Sequence, residues 1–150
     1  MGTRHQGPAD EVLALDVFVK LVRATEAVSD RVHGHLRADR LTVSQFGVLE
    51  ALLHLGPMCQ KELGSKLLRS GGNVTMVVDN LEKRGLVRRE RRPENRKFVT
   101  VHLTEEGRAL VRRVFPRHVE AVVRELSILS AAEQETLGRL LRTLGRGTPA

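Results

Sequence analysis

A chain of 150 residues has the length of one domain with one sizeable core. It carries 25 Lys and Arg against 18 Asp and Glu, a formal net charge of +7, and 41% of its residues are hydrophobic. That mixture excludes a disordered or collagen-like chain, and no apolar run reaches the roughly 18–20 residues of a membrane helix.

In chain order, Leu13, Val17, Phe18, Leu21, Val22, Val28 and Val32 recur at three- and four-residue spacing. They predict a long amphipathic helix from Val12 to Leu36, with Asp10 and Glu11 at its positive end. Thr42 followed by Gln45 fits a capping box and opens a short helix with Phe46, Leu49, Leu52 and Leu53 inward, stopped by Gly56-Pro57. Cys59, three residues before Glu62, stands where a cap belongs and predicts a second short helix ending near Leu68. Ser70 is the expected cap of a third helix, from Gly71 to Arg84. Its inward stripe is Val74, Val77, Val78 and Leu81, and its opposite face carries Gly72, Met76, Asp79 and Lys83, flanked by Asn73, Thr75 and Asn80. Gly85 ends it.

Leu86–Glu90 and Phe98–Leu103 read as two strands, joined by the loop Arg91–Lys97 with Pro93 and Asn95 at its turn. Thr104 caps a helix expected to reach Leu129 past Pro116. Ser130 and Glu133 form another capping pattern before a final helix with Leu137, Leu140, Leu141 and Leu144 on one face. The fold class is therefore mainly α (α+β). A winged helix-turn-helix with a two-stranded β wing is flanked by long N- and C-terminal helices. The terminal helices carry more apolar stripe than a lone small lobe needs.

The charge is concentrated. The fifteen residues from Lys83 to Lys97 hold eight basic and two acidic side chains, a net of +6, while residues 1–82 have a net of −1. Such a cluster is a footprint for a polyanion. Four scattered Phe, with no Tyr or Trp, make no stacking platform for single strands, so the expected partner is duplex. A helix whose N-terminal half is small and polar enters the major groove, and a basic hairpin tip reaches the adjacent minor groove. The candidate DNA-binding residues are Ser70, Gly72, Asn73, Thr75, Met76, Asn80, Lys83, Arg88, Arg91, Arg92, Arg96 and Lys97. Asp79 on the same face would repel phosphate, so it either pairs with a nearby Arg or accepts from a cytosine amino group.

These stretches resemble the MarR (multiple antibiotic resistance regulator) family of winged-helix transcription factors. The resemblance is carried by Leu41-Thr42-Val43-Ser44-Gln45-Phe46-Gly47-Val48-Leu49, Gln60-Lys61-Glu62-Leu63, the run from Asn73 to Val87, and Leu103-Thr104-Glu105-Glu106-Gly107. It spans about Ala14 to Leu144. Val114-Phe115-Pro116-Arg117-His118 is most similar to the branch answering hydroquinones and other small aromatics. The resemblance implies a homodimeric repressor on an inverted repeat. Residues 1–150 would form a single domain, with 10–37 and 104–145 as dimerisation helices around a 41–103 DNA-binding lobe. It also implies a small-molecule effector that releases the DNA. The family's wing tip commonly runs Asp-Pro-x-Asp-Arg-Arg, whereas this chain has Arg92-Pro93-Glu94-Asn95-Arg96-Lys97. Arg96 matches the arginine that enters the minor groove, and the acidic residue that would orient it is absent.

Ligand or redox candidates are His33, Phe46, Cys59 and Phe115. His33 is a pocket-lining or a solvated side chain, and Cys59 a small packed helix-start residue or an oxidant sensor. The six His show no metal-ligand spacing, so neither metal nor cofactor is expected. No P-loop, dinucleotide turn, HExxH or Gly-x-Ser-x-Gly is present, so an enzyme is not expected. The alternative reading is a winged-helix protein-interaction module without DNA specificity. A single cysteine and no signal-like apolar stretch in residues 1–10 set the expectation of a reduced, soluble, cytoplasmic protein without a membrane partner.

Overall fold

The computed structural model describes residues 2–67 and 73–148, and all of their side chains except that of Arg96. The chain divides into two units, Met1–Gly34 with Glu120–Ala150, and His35–Val119.

In the first unit, α1 (Ala9–His33) forms on the apolar repeat at three- and four-residue spacing, with Asp10 and Glu11 in its first turn. It ends at His33, three residues before the expected Leu36, and a 3-10 turn over Gly34–Asp39 replaces its last turn. The segment before α1 is tied to it. The Thr3 amide donates to Asp16 Oδ1 at 2.6 Å, and His5 Nε2 lies 2.8 Å from Glu11 Oε2. α6 (Ala131–Arg146) starts at the predicted box, with Ser130 Oγ accepting from the Glu133 amide and the Glu133 carboxylate accepting from the Ser130 amide. The last turns of α5 (Glu105–Leu126) belong here too, and Arg31 Nε donates to Glu125 Oε2 at 2.7 Å. α5 stops at Leu126, short of the expected Leu129. Its carbonyl and that of Leu129 are both taken by the Gln134 side chain.

Little of the first unit's apolar surface is covered. Phe18 is 61% exposed, Val17 51% and Leu13 65%. Leu140 is 53% and Leu144 57% exposed, and α6 buries no residue.

The second unit holds a contiguous core. α2 (Val43–Leu55) opens on the Thr42–Gln45 capping box, with both reciprocal bonds made. It buries Phe46, Val48, Leu49 and Leu52 against Leu63 of α3 (Gln60–Lys66), Val78 and Leu81 of α4 (Val74–Lys83), and Val111 and Val114 of α5. The sheet has three strands rather than the two expected. Met58–Cys59 forms β1, which pairs with β3 (Asn95–Leu103), which pairs with β2 (Val87–Arg92), all antiparallel. A two-residue strand is too short to show alternation in sequence, and only its pairing with Thr100 and Val101 defines it.

Two further expectations are corrected. β2 and β3 run to Arg92 and from Asn95, so Arg91, Arg92 and Lys97 lie on strands and only Pro93-Glu94 turns. α4 begins at Val74, not Gly71, because Asn73 has left helical geometry and its side chain accepts from the Thr75 amide at 3.0 Å. Ser70 and Gly71, the expected cap and first helical residue, lie outside the described residues.

The turn after the 3-10 segment is clamped. Arg40 has φ 54°, a left-handed value for a residue with a Cβ. Its carbonyl and that of Asp39 accept from Arg84 at 2.9 and 3.1 Å. The Asp39 carboxylate is held by Arg113 and Arg117 of α5 at 3.3 and 3.4 Å. Among the described residues, no helix is long and apolar enough to cross a membrane.

Candidate nucleic-acid interface

The exposed side of α4 follows from which residues it buries. Val78 and Leu81 are fully buried and Val74 and Val77 half-buried, which turns Thr75, Met76, Asn80 and Lys83 outward. Met76 is 60% exposed. Asn73 is exposed at the cap. Ser70 and Gly72 lie outside the described residues.

The hairpin presents the charge. Arg88, Arg91, Arg92 and Lys97 are exposed, and the Lys97 amide is turned in by Asn95 Oδ1 at 3.2 Å. The backbone of Arg96 lies on β3, while its side chain is outside what the structure describes. Glu90, one of two acids in the basic run, has its carboxylate 3.7 Å from Arg88 and 2.9 Å from His102 Nε2, the latter out of line for a hydrogen bond.

Arg89 joins these elements, and the sequence reading passed over it. Its guanidinium meets Asp79 at 2.5 Å and Glu82 at 3.3 Å, donates to Gln60 Oε1 at 3.2 Å and to the Thr75 carbonyl at 3.1 Å. Its amide donates to Glu82 Oε2 at 2.9 Å. Only 17% of the side chain is exposed. One residue thereby ties β2 to α3 and α4. Of the two alternatives for Asp79, pairing with an arginine is the one realised. The signal was the strand's period of two: Arg89 shares a face with buried Val87, so it points inward. Gln60 completes the junction, its Nε2 donating to Thr75 Oγ1 at 2.9 Å.

A cleft of about 570 Å³ opens between α3, the start of α4 and β3, lined by Cys59, Lys61, Thr75, Lys97 and Phe98 among others. Cys59 caps α3 by backbone position only, with no side-chain hydrogen bond, and is half-buried.

The other ligand candidates are not in that cleft. Phe46 is 2% exposed, a core side chain, and its ring lies 4.8 Å from that of His118. Phe115 is half-buried, 4.6 Å from the His54 ring and stacked at 6.3 Å on His118. His35 Nε2 lies 3.4 Å from His118 Nδ1. Phe46 and Phe115 thus join three imidazoles, none of which the sequence reading had selected. His33 belongs to the other unit, where Nδ1 lies 2.8 Å from the Ser29 carbonyl oxygen. Among the described residues, no three His, Cys, Asp or Glu side chains converge to hold a metal ion.

A helix with a polar outward face, tied by a mostly covered arginine to an exposed cationic hairpin, defines a winged helix-turn-helix DNA-binding protein. Comparison with known proteins agrees. The profile of the MarR family matches residues 41–99. HTH-type transcriptional regulator MhqR of Bacillus subtilis (strain 168) is 33% identical over 132 residues, covering 88% of this chain and 91% of MhqR. The structure of Sco3205, a MarR family regulator from Streptomyces coelicolor in complex with DNA, superposes with TM-score 0.82 at 25% identity, covering 99% and 95% of the two chains. Bordetella bronchiseptica BpsR, whose DNA binding is regulated by 6-hydroxynicotinic acid, superposes with TM-score 0.79 at 27% identity over 88% and 94%. The chain belongs to the MarR family of DNA-binding transcriptional regulators.

Proposed function

We propose that two copies of this chain pair through the apolar faces of α1 and α6, and that the dimer reads an inverted repeat in duplex DNA and represses transcription. The carrying observation is the uncovered apolar surface of the first unit, where Leu13, Val17, Phe18, Leu140 and Leu144 are each more than half exposed. A face of that extent calls for a partner, and a second copy supplies the same face by two-fold symmetry. In this reading Met1–Gly34 and Glu120–Ala150 dimerise, and His35–Val119 presents Asn73, Thr75, Met76, Asn80 and Lys83 to bases and Arg88, Arg91, Arg92, Arg96 and Lys97 to phosphates.

The effector that releases DNA is a small aromatic or phenolic molecule. The support is the Phe46–Phe115 cluster with its three imidazoles, together with BpsR's regulation by a hydroxylated aromatic acid. Thiol modification is the second route, favoured by Cys59 lining the cleft beside Thr75.

Sedimentation of the whole protein and of Leu140→Glu tests the dimer. A dimeric wild type and a monomeric variant with weakened DNA binding are expected. A monomeric wild type refutes the reading. DNA association that does not depend on salt favours the protein-interaction alternative. If Cys59→Ser still releases DNA on quinone treatment, the thiol route is excluded.

A further inference from the structure

The outward face of α4 is set from behind by a chain of directed hydrogen bonds. Arg89 has donors only, and its Nε points at Gln60 Oε1. That fixes the amide. Its oxygen faces the guanidinium, so its NH2 faces Thr75 and donates to Oγ1. The reverse orientation would set donor against donor. Arg89 in turn is pinned by Asp79 and Glu82 and by the Thr75 carbonyl.

Thr75 is the second residue of α4, and among the described residues its hydroxyl makes one hydrogen bond, the one it accepts from Gln60. A hydroxyl has one proton and two lone pairs. With Gln60 donating into one lone pair, the proton remains for a partner outside the protein, and accepting one bond strengthens the other.

We infer that Gln60 sets Thr75 as a hydrogen-bond donor toward DNA, so that this position of α4 selects bases presenting an acceptor and rejects cytosine. In the major groove, guanine offers O6 and N7, adenine N7 and thymine O4 as acceptors, whereas cytosine offers only its amino group. Gln60 acts here as a positioning residue. The inference rests on the duplex-reading function proposed above.

The test is inversion. In Gln60→Glu, one carboxylate oxygen accepts from Arg89 and the other accepts the Thr75 proton. The hydroxyl then shows only lone pairs to the groove, and cytosine becomes the favoured base. The whole protein, with Thr75→Val, Gln60→Ala and Gln60→Glu, selects binders from random-sequence duplex. Thr75→Val identifies the contacted base as the position whose preference flattens. At that position the wild type disfavours cytosine by about three- to tenfold, the worth of one hydrogen bond. Gln60→Ala loses the discrimination and Gln60→Glu reverses it. The added negative charge weakens binding to all sequences alike, so the preference profile is the readout. Thr75 is exposed and Gln60 stands at the first position of α3, where glutamate suits the helix dipole, so thermal unfolding of all three variants stays near wild type. Gln60→Glu keeping the wild-type preference overturns the inference, and so does a Thr75→Val profile that flattens nowhere. A wild type that enriches no sequence removes the duplex-reading function itself, and the inference with it.

Discussion

Gly107 in the first turn of α5 offers a sharp test of how the wing is anchored. A Cβ built there falls 1.9 Å from the Leu86 carbonyl oxygen and 2.8 Å from its carbon. Carbon and oxygen approach comfortably at about 3.3 Å, so Gly107→Ala requires the helix and the strand entry to separate by about 1.4 Å. Nothing flexible can rotate away, because the obstacle is main chain. The contact is fastened on both sides. Thr104 Oγ1 donates to the Gly85 carbonyl at 2.6 Å and accepts from the Gly107 amide at 3.0 Å, and the Thr104 amide donates to that same Leu86 oxygen at 3.1 Å. Overpacking costs about 1–3 kcal/mol where side chains can adjust. With backbone against backbone, about 3 kcal/mol or more is expected, equivalent to a fall in melting temperature of roughly 10 °C. Urea unfolding followed by circular dichroism measures it. Leu86→Ala in the same chain should give no rescue, since the clash is with the carbonyl and not the side chain. A Gly107→Ala midpoint equal to wild type would refute the reasoning.

Arg89→Ala removes the side-chain bonds joining β2 to α3 and α4 and keeps the amide bond to Glu82. Because Asp79 and Glu82 are 46% and 42% exposed and recover water, the net loss is held to about 2 kcal/mol. Arg89→Lys should fail to restore DNA affinity because an ammonium cannot reproduce the guanidinium fork, and full affinity in either variant would dismiss the junction. Arg96→Ala should flatten the dependence of log affinity on log salt by about one unit if one phosphate contact is lost, and an unchanged slope and affinity would remove that side chain from binding. Thr42→Ala breaks the capping box of α2 and should cost about 1 kcal/mol in urea unfolding, whereas Thr42→Ser should cost little.

Much of the architecture was legible because it is written in local pattern. The capping boxes at Thr42 and Ser130, the inward stripe of α4 and the charge of Lys83–Lys97 each depend on residues close in sequence, and periodicity reports those directly. The start of α4 was misplaced because Ser70 and Asn73 are both good caps, and local chemistry does not choose between them. β1 went unseen because two residues have no period, and its strand character comes only from Thr100 and Val101 across the sheet.

Residue order alone determined that the chain is mainly helical, that a basic hairpin follows a helix with a polar outward face, and that the terminal helices carry apolar stripes. What only tertiary structure decided is which side chains meet. Arg89 sits ten residues after Asp79 and 29 after Gln60, and it stands among seven other basic residues of its run that share its composition. Chain folding brings two carboxylates, an amide and a carbonyl around that one guanidinium, and the same long-range packing sets Phe46 beside His118 and Phe115 beside His54. Contacts between groups so far apart along the chain are chosen by the shape of the packed core, and no local pattern encodes them.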